Sequence, residues 1–496
     1  MMIPPPPPPD AVKFCEFVTA SPTPFHAVSN LTKRLVSSGF KSISERKIDS
    51  ASFAPGSKLF YTRNQSSLVA YTLPSEPTPT TAISFAVGHL DSPCLKVRPV
   101  SKRSKSGYLQ VGVELYGGGI WHSWFDRDLS LAGRVIVASS TSSSPSGPTY
   151  VSKLVKIDRP ILRIPTLAIH LDRTMNEAFK FNKETEFQPI LGLVADTFND
   201  PTSGGDARAG TPQPFRSGAT TPAKKEENSE DVARMEERHH PLLLAVLADE
   251  LGCSIGDIQD FELSLYDTQP STVGGMSNEL IFSPRIDNLM TSFSSIEGLC
   301  DATTASNASS EDNIRCVILF DNEEVGSVSH HGAESNLLPA FVERIVSLPD
   351  YAKIGYHQLL ANSFLVSADM GHALNPNYES RYETNLAPRL NGGVVIKTNA
   401  NQRYTSNAQT TFLLRRVAKK AGVPVQEFEI RNDSTCGSTV GPHLSTHVRT
   451  VDIGLAQLSM HSIRETAGSA DVKHYIQFFK TYFDVIAAFD RDLHVD

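Results

Sequence analysis

The chain of 496 residues predicts an α/β fold, in which a mixed sheet is flanked by helices and interrupted by a β-rich insertion. From Gly274 onward, short apolar runs alternate with segments of helical periodicity. The first 97 residues have the same character. Residues 101–175 instead carry short alternating segments between turn residues, such as GYLQVGVELYGGG, a pattern typical of antiparallel sheets. We therefore predict one α/β domain from 1–97 and 273–496, with an inserted domain at 98–272.

The first part of the α/β domain begins with residues 11–37, whose apolar spacing predicts helices on either side of the SPTP sequence. Residues 58–73 and 82–88 predict strands. The second stretch is almost wholly apolar, as expected for a strand that is covered on both faces of a sheet.

The inserted domain contains two segments that predict no regular structure. Residues 139–149 are rich in Ser, Pro and Gly and predict a loop. Residues 199–231 have few apolar side chains and predict a disordered surface loop. A helix is predicted at 241–251, ended by Gly252, before the strand-like FELSLYD.

The second part of the α/β domain alternates between strands and helices. The predicted strands are 315–320, 363–368, 424–430 and 451–457, and the predicted helices are 286–299, 334–347, 406–421 and 471–488.

Composition excludes several classes of partner. The chain is 40% hydrophobic and 20% charged, and its net charge is −8, so it has no basic footprint for nucleic acid or an anionic membrane. No stretch approaches the ~20 apolar residues that span a bilayer. Six scattered cysteines without a CxxC pair predict reduced thiols and a cytoplasmic location. The opening MMIPPPPPPD lacks the pattern of a secretory signal and predicts a polyproline II tail.

Four apolar runs end in acids and histidines: AISFAVGHLDSP, CVILFDNEEVGS, SFLVSADMGH and DIGLAQLSMHSIRE. In an open parallel sheet, the carboxyl ends of the strands form the ligand crevice. Imidazole and carboxylate groups that converge there predict a metal site of zinc type. The residues concerned are His89, Asp91, Glu323, Glu324, Asp369 and His461.

Each motif has an alternative explanation when it is taken alone. HLDSP has the chemistry of a turn, although Asp91 could also orient a metal-bound His89. The adjacent Glu323 and Glu324 could form a solvated acidic turn. Asp287 in PRIDNL could be only a helix cap, and His461 only a core histidine.

Together the motifs favour a hydrolase with paired metals. A shared aspartate would bridge two cations, which lie ~3.5–4 Å apart in such sites. One glutamate would bind a cation, while its neighbour would act as general base on the attacking water. Adjacent glutamates at the end of a buried strand are explained by this division of roles.

HLDSP, PRIDNL, DNEEVGS, SADMGH, IKTNANQRY and LSMHSIRE, in this order, resemble the M18 family of metallopeptidases. The resemblance runs from FVTASPTPFHAV to the last helix. It implies a two-metal aminopeptidase-type catalytic domain interrupted by a β-rich dimerisation domain. It also implies two Zn²⁺ per subunit, with Mn²⁺ or Co²⁺ as substitutes, and release of N-terminal Asp or Glu from peptides.

The resemblance assigns roles to the metal-site residues. It implies that His89 and Asp369 bind one zinc, that Glu324 and His461 bind the other, and that Asp287 bridges them. Glu323 would be the general base, and Asp91 would orient His89.

The resemblance also implies substrate contacts and an assembly, a homododecamer. The contacts would come from Glu323, His170, His372, Lys397 and Tyr404, with His170 supplied by a neighbouring subunit. Alternatively, His170 is an ordinary strand histidine, Lys397 a surface lysine and Tyr404 a core residue. Asn375 departs from the family pattern, which often has histidine there, and we expect this difference to affect assembly rather than the core chemistry.

Two rival functions stay open at this point. The first is a deacylase or carboxypeptidase of similar two-metal architecture. The second is a non-enzymatic role as a scaffold or as vacuolar cargo. Intact ligand and base positions favour an enzyme, and the proline-rich start lacks an obvious helical propeptide for vacuolar delivery.

Overall fold

A computed structural model of the chain describes residues 5–47, 53–144, 147–194, 234–304 and 313–495. The segment predicted to be disordered, 199–231, lies outside the described residues.

The described residues fold into helices and strands that agree with most of the predicted elements. The helices are α1 (Pro9–Thr19), α2 (Pro24–Ser37), α3 (Met235–Arg238), α4 (Pro241–Leu251), α5 (Ile286–Thr304), α6 (Leu337–Val346), α7 (Tyr356–Asn362), α8 (Ala408–Ala421), α9 (Gly441–Leu444) and α10 (Ser469–Arg491). The first strands are β1 (Lys41–Ser42), β2 (Lys58–Arg63), β3 (Ser67–Thr72), β4 (Ile83–His89), β5 (Cys94–Lys105), β6 (Tyr108–Tyr116), β7 (Leu129–Ser144), β8 (Gly147–Lys156), β9 (Ile190–Leu193) and β10 (Ile258–Asp267). The remaining strands are β11 (Thr272–Gly274), β12 (Leu280–Ser283), β13 (Ile314–Phe320), β14 (Phe364–Ala368), β15 (Gly371–His372), β16 (Val394–Lys397), β17 (Val425–Phe428), β18 (Arg449–Gly454), β19 (Ala456–Leu458) and β20 (Glu465–Gly468).

A nine-stranded mixed sheet forms the centre of the α/β part, in the order β1-β2-β3-β13-β4-β14-β18-β16-β17. The four strands β13, β4, β14 and β18 run parallel, whereas β3 and β16 run antiparallel to their neighbours in this group. Every residue of β4, β13 and β14 is buried, as expected for strands that are covered on both faces. The predicted mixed sheet flanked by helices is confirmed.

Helices cover both faces of this sheet. Apolar residues of α1, α2, α5, α8 and α10 form one core, and residues of α6, α7 and α9 contribute to the other. The hydroxyl group of Tyr482 on α10 donates to the carbonyl oxygens of Phe85 (2.9 Å) and Phe364 (3.0 Å), so α10 crosses the middle of the sheet. This hydroxyl group therefore joins α10 to the neighbouring strands β4 and β14.

A second, antiparallel sheet has the order β8-β7-β10-β5-β6-β9 and its own apolar core, to which α4 contributes Leu243, Leu244 and Leu247. Helix α4 ends at Gly252 with a φ of 61°, a conformation in which glycine lacks the steric penalty of other residues. A third sheet, β11-β12-β20-β19-β15, lies in the α/β part. The proposed domain limits at 97/98 and 272/273 stay a prediction.

The structure differs from the sequence prediction at residues 139–149 and in several short elements that were not predicted, among them α7, β12 and β16. Residues 139–149, predicted to be a loop, belong largely to the paired ends of β7 and β8, with Ser139 opposite Thr149. Continued backbone pairing with a partner strand outweighs the turn-forming composition there. Strand β16 was not predicted, although it follows two glycines and contains the apolar run VVI.

None of the helices in the described ranges is both long enough and apolar enough to cross a membrane. All six cysteines are described, and none of them forms a disulfide.

Candidate metal centre

The carboxyl ends of three parallel strands bring the predicted acids and histidine together. His89 is the last residue of β4, Asp369 directly follows β14, and Glu323 and Glu324 form a 3₁₀ turn three residues after β13. Because β4 pairs in parallel with both β13 and β14, these three ends meet at one edge of the sheet.

Asp287 lies between the two histidines of the site. Its Oδ1 atom is 3.4 Å from Nε2 of His89, and its Oδ2 atom is 3.4 Å from Nε2 of His461. His461 reaches this position from a turn after β19 in which its φ is 67°. Nε2 of His461 is also 3.3 Å from Oε2 of Glu324. Asp287 therefore presents one oxygen to each histidine.

The same nitrogen of His89 also lies near Asp369 and Glu323. This Nε2 atom is 3.4 Å from Oδ1 of Asp369 and 3.9 Å from Oε2 of Glu323. Potential ligand atoms of His89, Asp287 and Glu324 lie within 4.8 Å of one another, and so do those of His89, Glu323 and Asp369. The five predicted metal ligands and the predicted base are all brought together.

Several oxygens in this cluster are buried without a hydrogen-bond partner among the described residues. They are Oδ1 of Asp287, Oε1 of Glu324 and Oδ1 of Asp369. A buried polar atom without a partner is costly, and carboxylate oxygens beside imidazole nitrogens are zinc ligands. The residues therefore fit a centre that binds divalent cations.

The pKa values reflect the crowding of buried carboxylates. Burial, together with the negative charges of Asp369 and Asp91, raises the pKa of Glu323 to about 8 despite the opposing effect of His89. Burial also raises the pKa of Glu324 well above its ordinary value, and the charge of Asp287 adds to this shift. A bound cation would favour the ionised carboxylates and offset this mutual repulsion.

Asp91 holds the turn that carries the two glutamates. Its Oδ1 accepts a hydrogen bond from the backbone N–H of Glu323 (3.1 Å), and its Oδ2 accepts one from that of Glu324 (3.0 Å). Nδ1 of His89 is 3.0 Å from the carbonyl oxygen of Asp91 and 3.4 Å from its Oδ1. An N–H at Nδ1 would leave Nε2 of His89 free to bind a cation.

Glu465 is a residue of the site that the sequence prediction missed. Its carboxylate accepts hydrogen bonds from the backbone N–H groups of Ile286 (2.7 Å), Asp287 (3.1 Å) and His461 (2.8 Å). It therefore fixes the backbone on both sides of the centre. The feature of the sequence that could have indicated Glu465 is its position four residues after His461 in the motif LSMHSIRE.

Three of the predicted substrate contacts lie near Asp369. Lys397 is buried at the end of β16. Its Nζ donates a hydrogen bond to the carbonyl oxygen of Met370 (2.7 Å) and lies 3.8 Å from Oδ2 of Asp369. The same Nζ lies 5.3 Å from the ring centroid of Tyr404, which is also buried. Burial and the positive charge of Lys397 lower the pKa of His372, whose side chain is partly exposed at the end of β15.

One predicted substrate contact, His170, does not join the cluster within one chain. His170 lies on an exposed turn whose neighbours Leu167, Ile169 and Leu171 are exposed apolar side chains, and it belongs to neither group of ligand atoms. The side chain of Asn375 accepts a hydrogen bond from the backbone N–H of Asn377 (3.0 Å), and its effect on assembly stays a prediction.

The chain is similar in sequence and in structure to known proteins. The family model described as aminopeptidase I zinc metalloprotease (M18) matches residues 17–483. The aspartyl aminopeptidase of Aspergillus oryzae is 47% identical over 98% of this chain and 98% of its own. Among solved structures, the Ape4 and Nbr1 complex has a TM-score of 0.87 at 43% identity, covering 98% of this chain and 87% of that chain.

A further solved structure, the S. cerevisiae mApe1 dodecamer, has a TM-score of 0.78 at 27% identity and covers 97% of this chain and 98% of that chain. These similarities extend over nearly the whole length of the sequence. Because the family model also matches most of it, the chain belongs to the M18 family of aminopeptidase I zinc metalloproteases.

Proposed function

We propose that this protein is an aspartyl aminopeptidase, which releases N-terminal Asp or Glu from peptides with the help of two bound zinc ions. The observation that carries the proposal is the position of Asp287, whose oxygens each face one histidine at the carboxyl edge of the sheet. The relative from Aspergillus oryzae, which bears this name, supports the substrate class.

The ligand assignment follows the two sides of Asp287. His89 and Asp369 would hold one cation, Glu324 and His461 the other, and Asp287 would bridge them. Cations in such pairs act as Lewis acids and lower the pKa of a bound water toward neutrality. Zn²⁺ is the ion named for the family, and Mn²⁺ or Co²⁺ would accept the same ligands.

Glu323 is the proposed general base. It is half-buried beside His89 but is not needed as a ligand in this assignment. Its carboxylate would take a proton from the attacking water and pass that proton to the leaving amine, so the proton count is unchanged at the end of the cycle. Asp91 would keep Glu323 in place through the hydrogen bond from the Glu323 backbone.

The first test uses aminoacyl-naphthylamides with protein that has been stripped of metal and then resupplied with one metal at a time. We expect no turnover without metal, and recovery with Zn²⁺, Mn²⁺ or Co²⁺ on Asp and Glu substrates that have a free amine. Equal cleavage of N-acylated or C-terminal substrates would instead support the deacylase or carboxypeptidase alternative.

Replacing Lys397 by methionine should abolish the preference for acidic substrates. Loss of one charged contact corresponds to a factor of roughly 10 to 100 in relative kcat/KM. Because Nζ of Lys397 is also 3.8 Å from Asp369, the measurement is the ratio of kcat/KM for Glu and Leu naphthylamides rather than either rate alone.

Lys473→Met, at an exposed position of α10, is the matched control and should leave that ratio unchanged. An unaltered ratio in Lys397→Met would exclude Lys397 as the residue that selects acidic side chains.

We also propose a homododecamer in the cytoplasm. The related mApe1 structure is a dodecamer, and six cysteines that form no disulfide suit a reducing compartment. In such an assembly, the exposed turn that carries His170 would enter the site of a neighbouring subunit. Mass measurement in solution, followed by activity assays of His170→Ala, tests both points.

A further inference from the structure

A short glycine-rich segment, Tyr116–Ile120 (YGGGI), connects the antiparallel sheet to the metal centre. It starts at the last residue of β6, and no role follows for it from the proposed reaction. Yet it contacts three residues of the centre, namely Asp91, Glu324 and His461. We refer to it as the 116–120 segment.

The first contact is made by the hydroxyl group of Tyr116. It donates to Oδ2 of Asp91 at 2.6 Å and accepts a hydrogen bond from Nδ2 of Asn322 at 2.8 Å. Asn322 directly precedes Glu323, and Asp91 accepts the backbone N–H groups of the same turn. One hydroxyl group therefore joins the start of the 3₁₀ turn to the carboxylate that holds the rest of it.

The second contact is steric. Gly117 has a φ of +76°, and a Cβ atom placed on it would lie 3.2 Å from Cβ of Glu324. A side chain at this position would therefore press on a proposed metal ligand. The positive φ and this close approach both favour glycine at residue 117.

The third contact orients His461. Its Nδ1 is 3.1 Å from the carbonyl oxygen of Gly118, and its carbonyl oxygen accepts the backbone N–H of Ile120 at 2.9 Å. A carbonyl oxygen can only accept, so Nδ1 carries the hydrogen and Nε2 faces Asp287 and Glu324.

We propose that the 116–120 segment is a positioning element of the metal centre, so that the inserted sheet contributes to catalysis as well as to assembly. Tyr116 holds the Glu323–Glu324 turn through Asp91, Gly117 leaves room for Glu324, and Gly118 sets the orientation of His461. This inference rests on the proposed metal centre. Outer partners of this kind change metal affinity or activity by about 10- to 100-fold.

The test is Tyr116→Phe in the full chain, with Tyr108→Phe as control, because Tyr108 is on the same strand and is 42% exposed. The Kd for Zn²⁺ is measured by competition with a chelator, together with kcat, KM and the melting temperature of metal-free protein. We expect Tyr116→Phe to raise the zinc Kd or lower kcat by about tenfold or more. We also expect KM and the metal-free melting temperature to match the control.

A second pair of variants separates backbone strain from the contact. Gly117→Ala and Gly107→Ala both place alanine at positive φ, but an added Cβ at Gly107 meets nothing within 4 Å. We expect weaker zinc binding only in Gly117→Ala. If both variants in the 116–120 segment bind zinc and turn over substrate like their controls, the inference is wrong.

Asp287→Ala, measured in parallel, distinguishes failure of the role proposed for the 116–120 segment from failure of the proposed metal centre. If it loses zinc while Tyr116→Phe and Gly117→Ala behave like their controls, only the role of the 116–120 segment fails. If Asp287→Ala itself binds zinc like the unaltered protein, the proposed metal centre fails, and the inference fails with it.

Discussion

Glu323→Gln is expected to lower kcat by about 10²- to 10⁴-fold while both zinc ions stay bound. Glutamine has nearly the same shape as glutamate and can keep the backbone contact to Asp91, but it cannot accept the proton of water. Steady-state kinetics and zinc content per chain, measured on the same preparation, check both parts of the expectation.

The control for this variant is Glu379→Gln, at an exposed position in a 3₁₀ turn. It should leave kcat and zinc content unchanged. Loss of zinc in Glu323→Gln would make Glu323 a ligand rather than the base. Near-normal turnover with zinc bound would remove Glu323 from the proposed mechanism altogether.

Asp287→Ala is expected to lower activity by about three orders of magnitude, equivalent to about 4 kcal/mol of transition-state stabilisation. The reason is that Asp287 faces both histidines, so its loss would remove a ligand from both of the proposed cations. Of the two histidines, Asp369 contacts His89 but not His461. Asp369→Ala should therefore weaken zinc binding at one site more than at the other.

Zinc titration of the metal-free variants gives the number of sites and their affinities. Asp249→Ala, at an exposed position of α4, should bind two zinc ions like the unaltered protein. Retention of two tight sites in Asp287→Ala would rule out a bridging aspartate. Equal weakening of both sites in Asp369→Ala would contradict the division of ligands between the cations.

The strands that carry the site could be predicted from sequence because they are buried on both faces. Such strands are continuous apolar runs, and the polar residues that follow them must lie at the sheet edge. His89, Glu323 and Asp369 were found by this rule. The prediction did not cover β16, whose short apolar run follows two glycines, although it places Lys397 next to Asp369.

Residues that support the site through hydrogen bonds to distant parts of the sequence were harder to recognise. Tyr116 belongs to a strand of the inserted sheet, and nothing in its local pattern indicates a hydrogen bond to Asp91. Glu465 accepts hydrogen bonds from the backbone of Ile286 and Asp287, about 180 residues earlier in the chain. The tertiary structure brings the inserted sheet to Asp91, and it pairs β12 with β20 so that Glu465 lies opposite Ser283, just before Ile286.

Local patterns therefore sufficed for the α/β class, the buried strands and the identity of the acids and histidines that follow them. Those features depend on hydrophobic burial and strand periodicity, which leave a record in neighbouring residues. The tertiary structure alone decided which oxygen faces which nitrogen, which buried carboxylates lack hydrogen bonds, and that Tyr116–Ile120 contacts the centre. These depend on strand order and on contacts between distant segments, which adjacent residues do not encode.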